Sequence, residues 1–186
     1  IDNEEFNKEE EMTDSYYHNH PQYDQHHRQL DSLDCASLCP DPRQDVSSYE
    51  GPFQSLTTCY INGDCTLDYP DISCWNTTGI TNMNFAFDSY YGQNNFNGPL
   101  ECWDVGQVTT MEEMFYYAYT FNQPINSWDV SQVKDMDSMF GQASSFNQPL
   151  DTWDVSQVTD MYNMFYGAYY FNQPIDSWDV SQVKDM

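Results

Sequence analysis

Basic residues are almost missing from this chain. Its 186 residues include 30 Asp plus Glu against 5 Lys plus Arg, a formal charge of −25. Nucleic-acid binding relies on clustered Lys and Arg against phosphate, so that class is excluded, and docking on anionic lipid is disfavoured for the same reason. The balance favours solubility, cations or basic partners. No apolar run approaches the roughly 18 to 20 residues of a membrane span, so direct membrane insertion is not expected. A glycine-rich phosphate loop is missing, the repeated serines have no neighbouring base, and all four histidines fall before residue 28. Paired carboxylates occur throughout but recur identically along the chain. That suits structure better than one tuned acid and one tuned base, and no catalytic residues are expected.

What is present is repetition. Phe121 to Met136 reads FNQPINSWDVSQVKDM, and Phe171 to Met186 reads FNQPIDSWDVSQVKDM. Trp103, Trp128, Trp153 and Trp178 stand 25 residues apart, as do Met111, Met136, Met161 and Met186. A fixed period of this length is the signature of a solenoid, in which each turn buries its face on the next. The stretch opening at Trp75 is a degenerate first unit with three extra residues before Phe96. A second rhythm lies over the first. Leu100, Ile125, Leu150 and Ile175 alternate, and tyrosines crowd residues 115–120 and 165–170 but avoid 140–145. This 50-residue super-period suggests duplication of a repeat pair.

Three segments follow. Residues 1–34 are acidic, polar and without apolar periodicity, an arm that is disordered or orders only on a partner. Residues 35–74 hold five of the six cysteines and form an N-terminal cap for the first turn, with CASLC and CYINGDC as tight loops and Asn62-Gly63 as a turn signal. Residues 75–186 are the 25-residue-repeat solenoid. Within one repeat, Ser127 to Ser131 alternates polar and apolar, predicting a short parallel strand with Trp128 and Val130 inward. Met136, Met139, Phe140, Ala143 and Phe146 follow at helical steps, predicting one to two helical turns. FNQP makes the corner, since Pro149 forces the residue before it to extend. Asn122, Asn147 and Asn172 should stack there and bond the backbone of neighbouring turns. The Met and Trp columns read as core rather than as a cofactor site.

The pattern MFxxAxxFNQPLxxWDVSxVTDM resembles the repeat of BspA-type surface proteins, a leucine-rich-repeat-like family, over roughly residues 75–186. The resemblance implies an α/β solenoid, a right-handed leucine-rich-repeat-like coil, on a surface or secreted protein, typically in adhesion or attachment, and it implies no catalysis.

Four groups are candidate sites. Asp104, Asp129, Asp154 and Asp179 share one register, so like charges lie one strand spacing apart. Ca²⁺ would relieve that repulsion. The plainer reading is that each Asp accepts local backbone bonds, because no DxDxDG-type loop occurs. A second column, Asp135, Asp160 and Asp185, would sit at the start of each helix and favour its dipole. Tyr116, Tyr117, Tyr119, Tyr166, Tyr169 and Tyr170 flank the inward stripe and would offer an amphipathic surface for a host protein or glycan, or only shield the convex surface. Cys74 and Cys102 each precede a tryptophan on adjacent turns, which predicts a Cys74–Cys102 disulfide. Cys35, Cys39, Cys59 and Cys65 are then left with three pairings, among which the sequence does not choose. His18, His20, His26 and His27 read as a solvated tail rather than a metal site.

Even cysteine number and the sequon at Asn76 suggest an oxidising route to the exterior or the cell surface, with Asn76 the glycosylation site. A start at Ile1 reads as a mature form with its leader removed, or as an engineered piece. The stop at Met186 falls in mid-repeat. It reads either as a fragment of a longer array or as an open end that meets the cap or arm of the next copy, head to tail, in a filament. The first expectation is therefore an extracellular structural protein of a surface layer or filament. The second is a monomeric adhesin.

Overall fold

The computed structural model describes residues 35, 39, 44–47, 51–63, 71–89 and 95–186. The acidic arm 1–34, its histidines and Cys65 lie outside the described residues. Contacts divide the chain into Ile1–Ser37 and Leu38–Met186, and the repeats lie in the second.

Three complete 25-residue layers, 112–136, 137–161 and 162–186, follow an irregular first layer. Each layer lies in register on the last. Single parallel bridges join Asn82 to Thr110, Thr110 to Asp135, Asp135 to Asp160 and Asp160 to Asp185. From each bridge the backbone N–H groups of alternate residues point along the stack. Met136 donates to the Asp160 carbonyl at 3.0 Å, Ser138 to Tyr162 at 2.8 Å, Phe140 to Met164 at 2.9 Å and Gln142 to Tyr166 at 2.6 Å. The layer below repeats this, from Met111 to Asp135, Glu113 to Asp137, Phe115 to Met139 and Tyr117 to Gly141.

This ladder corrects two expectations. Residues 136–146 are not helical. The intervening N–H groups close four-residue turns, Met139 to Met136, Gly141 to Ser138 and Ala143 to Phe140. Positive φ recurs at Glu113, Ser138 and Asn163, and again at Tyr117, Gln142 and Gly167. A positive φ at the third residue of a turn is the mark of type II, and it cannot be accommodated in a right-handed helix. Chained turns happen to space their inward side chains by three and four, which imitates a helical stripe. The second correction concerns the strand. Trp128 and Val130 do point inward with Asp129 outward, but the bridges between layers form at Asp135, not across Ser127 to Ser131.

Side chains complete the columns. Four indole N–H groups donate to the layer below: Trp103 to the Ile72 carbonyl at 2.8 Å, Trp128 to Leu100 at 3.0 Å, Trp153 to Ile125 at 3.1 Å and Trp178 to Leu150 at 3.0 Å. A buried indole donor needs such a partner. Trp103 stacks on Trp75 and on Trp128 with centroids 6.2 and 6.5 Å apart, and Trp153 stacks on Trp178 at 6.5 Å. Phe115, Phe140 and Phe165 form one column with steps of 5.5 and 5.6 Å, and Phe121, Phe146 and Phe171 a second with steps of 5.9 and 6.0 Å. Burying a side chain of this size contributes roughly 1.5 to 3 kcal/mol, so repetition multiplies a modest gain. At the corner the expected Asn column forms. Asn122 Oδ1 accepts the Asn147 N–H, and Asn147 Oδ1 the Asn172 N–H, both at 2.9 Å.

Residues before Trp75 cover the first layer. Strand β1 (Gln44–Asp45) pairs in parallel with β2 (Trp75–Asn76). Helix α1 (Phe53–Asn62) buries Phe53, Leu56 and Thr57, and Thr57 Oγ1 donates to the Ala86 carbonyl. Phe53 and Tyr60 meet the Trp75 ring edge-on. Cys59 to Asn62 are thus helical rather than a loop, and the Asn-Gly signal acts as a stop, with Gly63 at φ +70 capping α1. A disulfide joins Cys39 to Cys74, Cα to Cα 5.2 Å. This replaces the expected Cys74–Cys102 bond. Cys74 has a neighbour on either side, and the chain that leads into β1 supplies its partner. Cys35, Cys59 and Cys102 are also held in disulfides.

Candidate functional site

The outward side chains form columns as regular as the core. In the first acid column each carboxylate is engaged locally. Asp104 Oδ1 accepts the Gly106 N–H at 3.0 Å, Asp129 that of Ser131 at 3.1 Å, Asp154 that of Ser156 at 3.0 Å and Asp179 that of Ser181 at 3.0 Å. Asp104 also accepts from Thr78 Oγ1 at 2.9 Å. The Ser156 hydroxyl and N–H hold the Asp154 carboxyl below its ordinary value. The Ser181 N–H and hydroxyl do the same for Asp179, against burial and the charge of Asp154. Among the described residues no group of three or more His, Cys, Asp or Glu is placed to hold a metal ion.

The second column cannot serve a helix dipole, since no helix follows it. Asp135 and Asp160 each close a local turn, accepting the N–H of Asp137 and of Tyr162 at 3.0 Å. Around them lies a concentration of charge that residue-by-residue reading missed. Glu112 is pushed above the ordinary carboxylate value by burial, then by Asp135, Asp137 and Asp160. Glu113 is raised by burial, then by Asp88, Glu112 and Asp137. The signal was available, because residues 25 apart become nearest neighbours once layers stack.

The tyrosines separate into two kinds. Tyr116 and Tyr117 are half-buried, their rings edge-to-face at 4.5 Å, and Tyr117 meets Tyr119 in the same way at 5.6 Å. Tyr116 and Tyr117 are thus only partly open to solvent. Tyr119, Tyr166, Tyr169 and Tyr170 are exposed, Tyr169 by 81%. Tyr162, not anticipated, is exposed as well. It stands where the other layers carry Glu112 and Asp137, and that polar register foretold its direction.

Asn76 lies half-buried in β2. Its Oδ1 accepts the Thr78 N–H at 3.2 Å, and its carbonyl accepts the Val46 N–H at 3.3 Å.

An apolar face completes the inventory. In layer 137–161, Leu150, Trp153 and Val155 are buried to 3% exposure or less. Their equivalents Ile175, Trp178 and Val180 in layer 162–186 are partly open, with Ile175 and Val180 at 37% and 39%. Together with Phe165, Tyr166 and Met186 they line a shallow apolar depression.

These features define a repeat protein whose 25-residue units stack in register behind a disulfide-tied cap. The chain belongs to the family described as Mycoplasma protein of unknown function, DUF285, whose model matches residues 56–151 and again 88–186. No curated protein and no solved structure matches it.

Proposed function

We propose that this is a non-enzymatic, extracellular structural repeat protein of the BspA type, a right-handed leucine-rich-repeat-like solenoid that builds a surface layer or filament by adding units end on end. The in-register stacking of near-identical 25-residue units carries this reading. Successive units offer the same carbonyl acceptors to the indole of the unit that follows. The disulfides suit an oxidising exterior, and Asn76 is the proposed glycan acceptor. The polar columns support a structural role, because their bonds run to neighbouring layers or close local turns.

Helix α1 and β1 cover the first layer. Sizing across a range of concentrations tests the proposal. A structural subunit grows into large species, which negative-stain images would show as filaments or sheets. A monomer at every concentration rejects assembly. It would favour the second reading, a monomeric adhesin, which rests on the exposed Tyr119, Tyr166, Tyr169 and Tyr170 as a surface for a host protein or glycan.

A further inference from the structure

Two carbonyls on the first layer lack the partners that their counterparts have, and a groove lies against them. In each later layer a pair of carbonyls, two residues apart, accepts N–H groups from the layer before. Thr110 accepts from Met83 at 3.0 Å and Glu112 from Phe85 at 2.9 Å. Asp135 and Asp137 accept from Met111 and Glu113 at 2.9 and 2.8 Å, and Asp160 and Tyr162 from Met136 and Ser138 at 3.0 and 2.8 Å. The bridge from Asn82 to Thr110 sets Asn82 and Asn84 in these two places on the first layer. Among the described residues neither of their carbonyls accepts a hydrogen bond.

The cap serves this edge before and after the gap. The Val46 N–H donates to the Asn76 carbonyl at 3.3 Å, and the Thr57 hydroxyl donates to that of Ala86. Strand β1 ends at Asp45 and α1 begins at Phe53, and between them a groove of about 480 Å³ is left. Val46, Phe53, Ile80 and Phe85 line it together with Asn82 and Asn84, and none of the described lining residues is charged. The edge already has the shape of a paired one. Phe85 has φ +60, against +51, +52 and +53 at Glu113, Ser138 and Asn163. Asn82 Oδ1 accepts the Asn84 N–H at 2.9 Å, and Asn84 Oδ1 accepts the Glu112 N–H at 3.1 Å. The two carbonyls are thus ordered in advance, which lowers the cost of binding to them.

We infer that this groove binds an extended segment of a basic partner protein, which adds as a strand to the first layer and donates two alternate N–H groups to the Asn82 and Asn84 carbonyls. Alternate N–H groups of a strand lie along one edge, roughly 6.6 Å apart, which suits acceptors two residues apart. An unpaired edge recruits a strand. Main-chain bonds then supply affinity, and the apolar lining selects the side chains that enter. Charge decides the kind of partner. The chain carries −25, and the Glu112 carboxylate, which accepts from Asn84 Nδ2 at 2.9 Å, stands beside the unpaired pair. A strand flanked by Lys or Arg is drawn in, whereas a second copy of this acidic chain is repelled. The site lies between cap and first layer, so it does not depend on whether the repeats assemble.

The test uses the full chain and a synthetic probe, the acetylated and amidated peptide KTVTVTK carrying a fluorophore. Its alternating β-branched residues favour an extended form. Fluorescence anisotropy should show saturable binding, and the acid-flanked peptide ETVTVTE should bind at least about tenfold more weakly. Backbone N-methylation at both valines blocks one edge of the probe, and at all three threonines the other. One of these peptides should lose at least about tenfold in affinity and the other no more than a few-fold. Plain attraction of a basic peptide to an acidic chain would not distinguish the two. Thr81→Lys, at an exposed lining position, should weaken KTVTVTK at least about fivefold. In isotope-labelled protein the Asn82 and Asn84 carbonyl carbons should shift on binding. No saturable binding, equal effects of the two methylations, equal affinity for the acid-flanked peptide, indifference to Thr81→Lys, or carbonyl shifts that spare Asn82 and Asn84 overturns the inference. Self-association of the protein that KTVTVTK displaces also overturns it, since the occupant would then be a second copy.

Discussion

Trp128 donates its indole N–H to the carbonyl of Leu100, 28 residues earlier and one layer below, at 3.0 Å. The bond is buried, and the same one is made by Trp153 and Trp178 on their own layers. Trp128→Phe keeps an aromatic ring and leaves the Leu100 carbonyl without this donor. That carbonyl still accepts the Trp103 N–H, so the loss is that of one net hydrogen bond, about 0.5 to 1.5 kcal/mol. Urea unfolding should show a loss in that range, and a variant as stable as the parent would remove the indole ladder from the account.

Position in the stack sets the cost of a truncation. Phe140 touches Phe115, Phe146 and Phe165 and is fully buried, so Phe140→Ala should cost about 3 to 5 kcal/mol. Tyr119 is 44% exposed on the outer side of the layer before. Tyr119→Ala should cost less than half as much in the same denaturation experiment. Equal losses would contradict a core built of stacked inward columns.

Gly167 has two separate reasons for being glycine. Its φ is +73, and a Cβ would meet the Gln142 side-chain amide at 2.7 Å. Gly167→Ala therefore brings both the left-handed penalty of about 1 kcal/mol and a contact. Gln142→Ala in the same chain relieves only the contact. A double-mutant cycle should recover part of the lost stability and leave the backbone share. Full recovery would mean that the positive φ carries no cost here.

Acidity acts on this fold in both directions. Glu112 and Glu113 have raised values in the folded state, by burial first and then by neighbouring carboxylates. The native protein therefore holds protons that the unfolded chain has released, and stability falls as pH rises through the window just above the ordinary Glu value. Asp45 and Asp154, lowered chiefly by the Ser47 and Ser156 hydroxyls, act oppositely, as does Asp179, lowered first by the Ser181 N–H. Their contribution is present above the ordinary Asp value and lost as pH falls below it. A pH series of unfolding midpoints should pass through a maximum on the acid side of neutrality. Glu112→Gln should flatten the alkaline limb, and added salt should do the same. An unchanged limb in Glu112→Gln would show that this carboxyl is not the source.

Much of the architecture was legible because the period is strict. The inward Trp and Val, the Asn column and the stacking of like on like all follow once residues 25 apart are set side by side. The path between Met136 and Phe146 was not legible. Ser138 and Gln142 are ordinary residues held at positive φ, and single-residue preferences do not announce that conformation outside glycine and asparagine. The inter-layer ladder stabilises it, and that ladder exists only in the assembled stack. The Cys39–Cys74 bond was hidden for a related reason, because the layer that the cap supplies before Trp75 lacks the repeat pattern.

Cross-layer hydrogen bonding is the claim on which the rest depends, and long-range NMR couplings through hydrogen bonds measure it most directly. In isotope-labelled protein the Ser138 N–H should correlate with the carbonyl carbon of Tyr162, and that of Phe140 with Met164. Correlations from these same N–H groups to carbonyls four residues earlier in the chain would mean helices in place of the ladder, and would contradict the stacked arrangement.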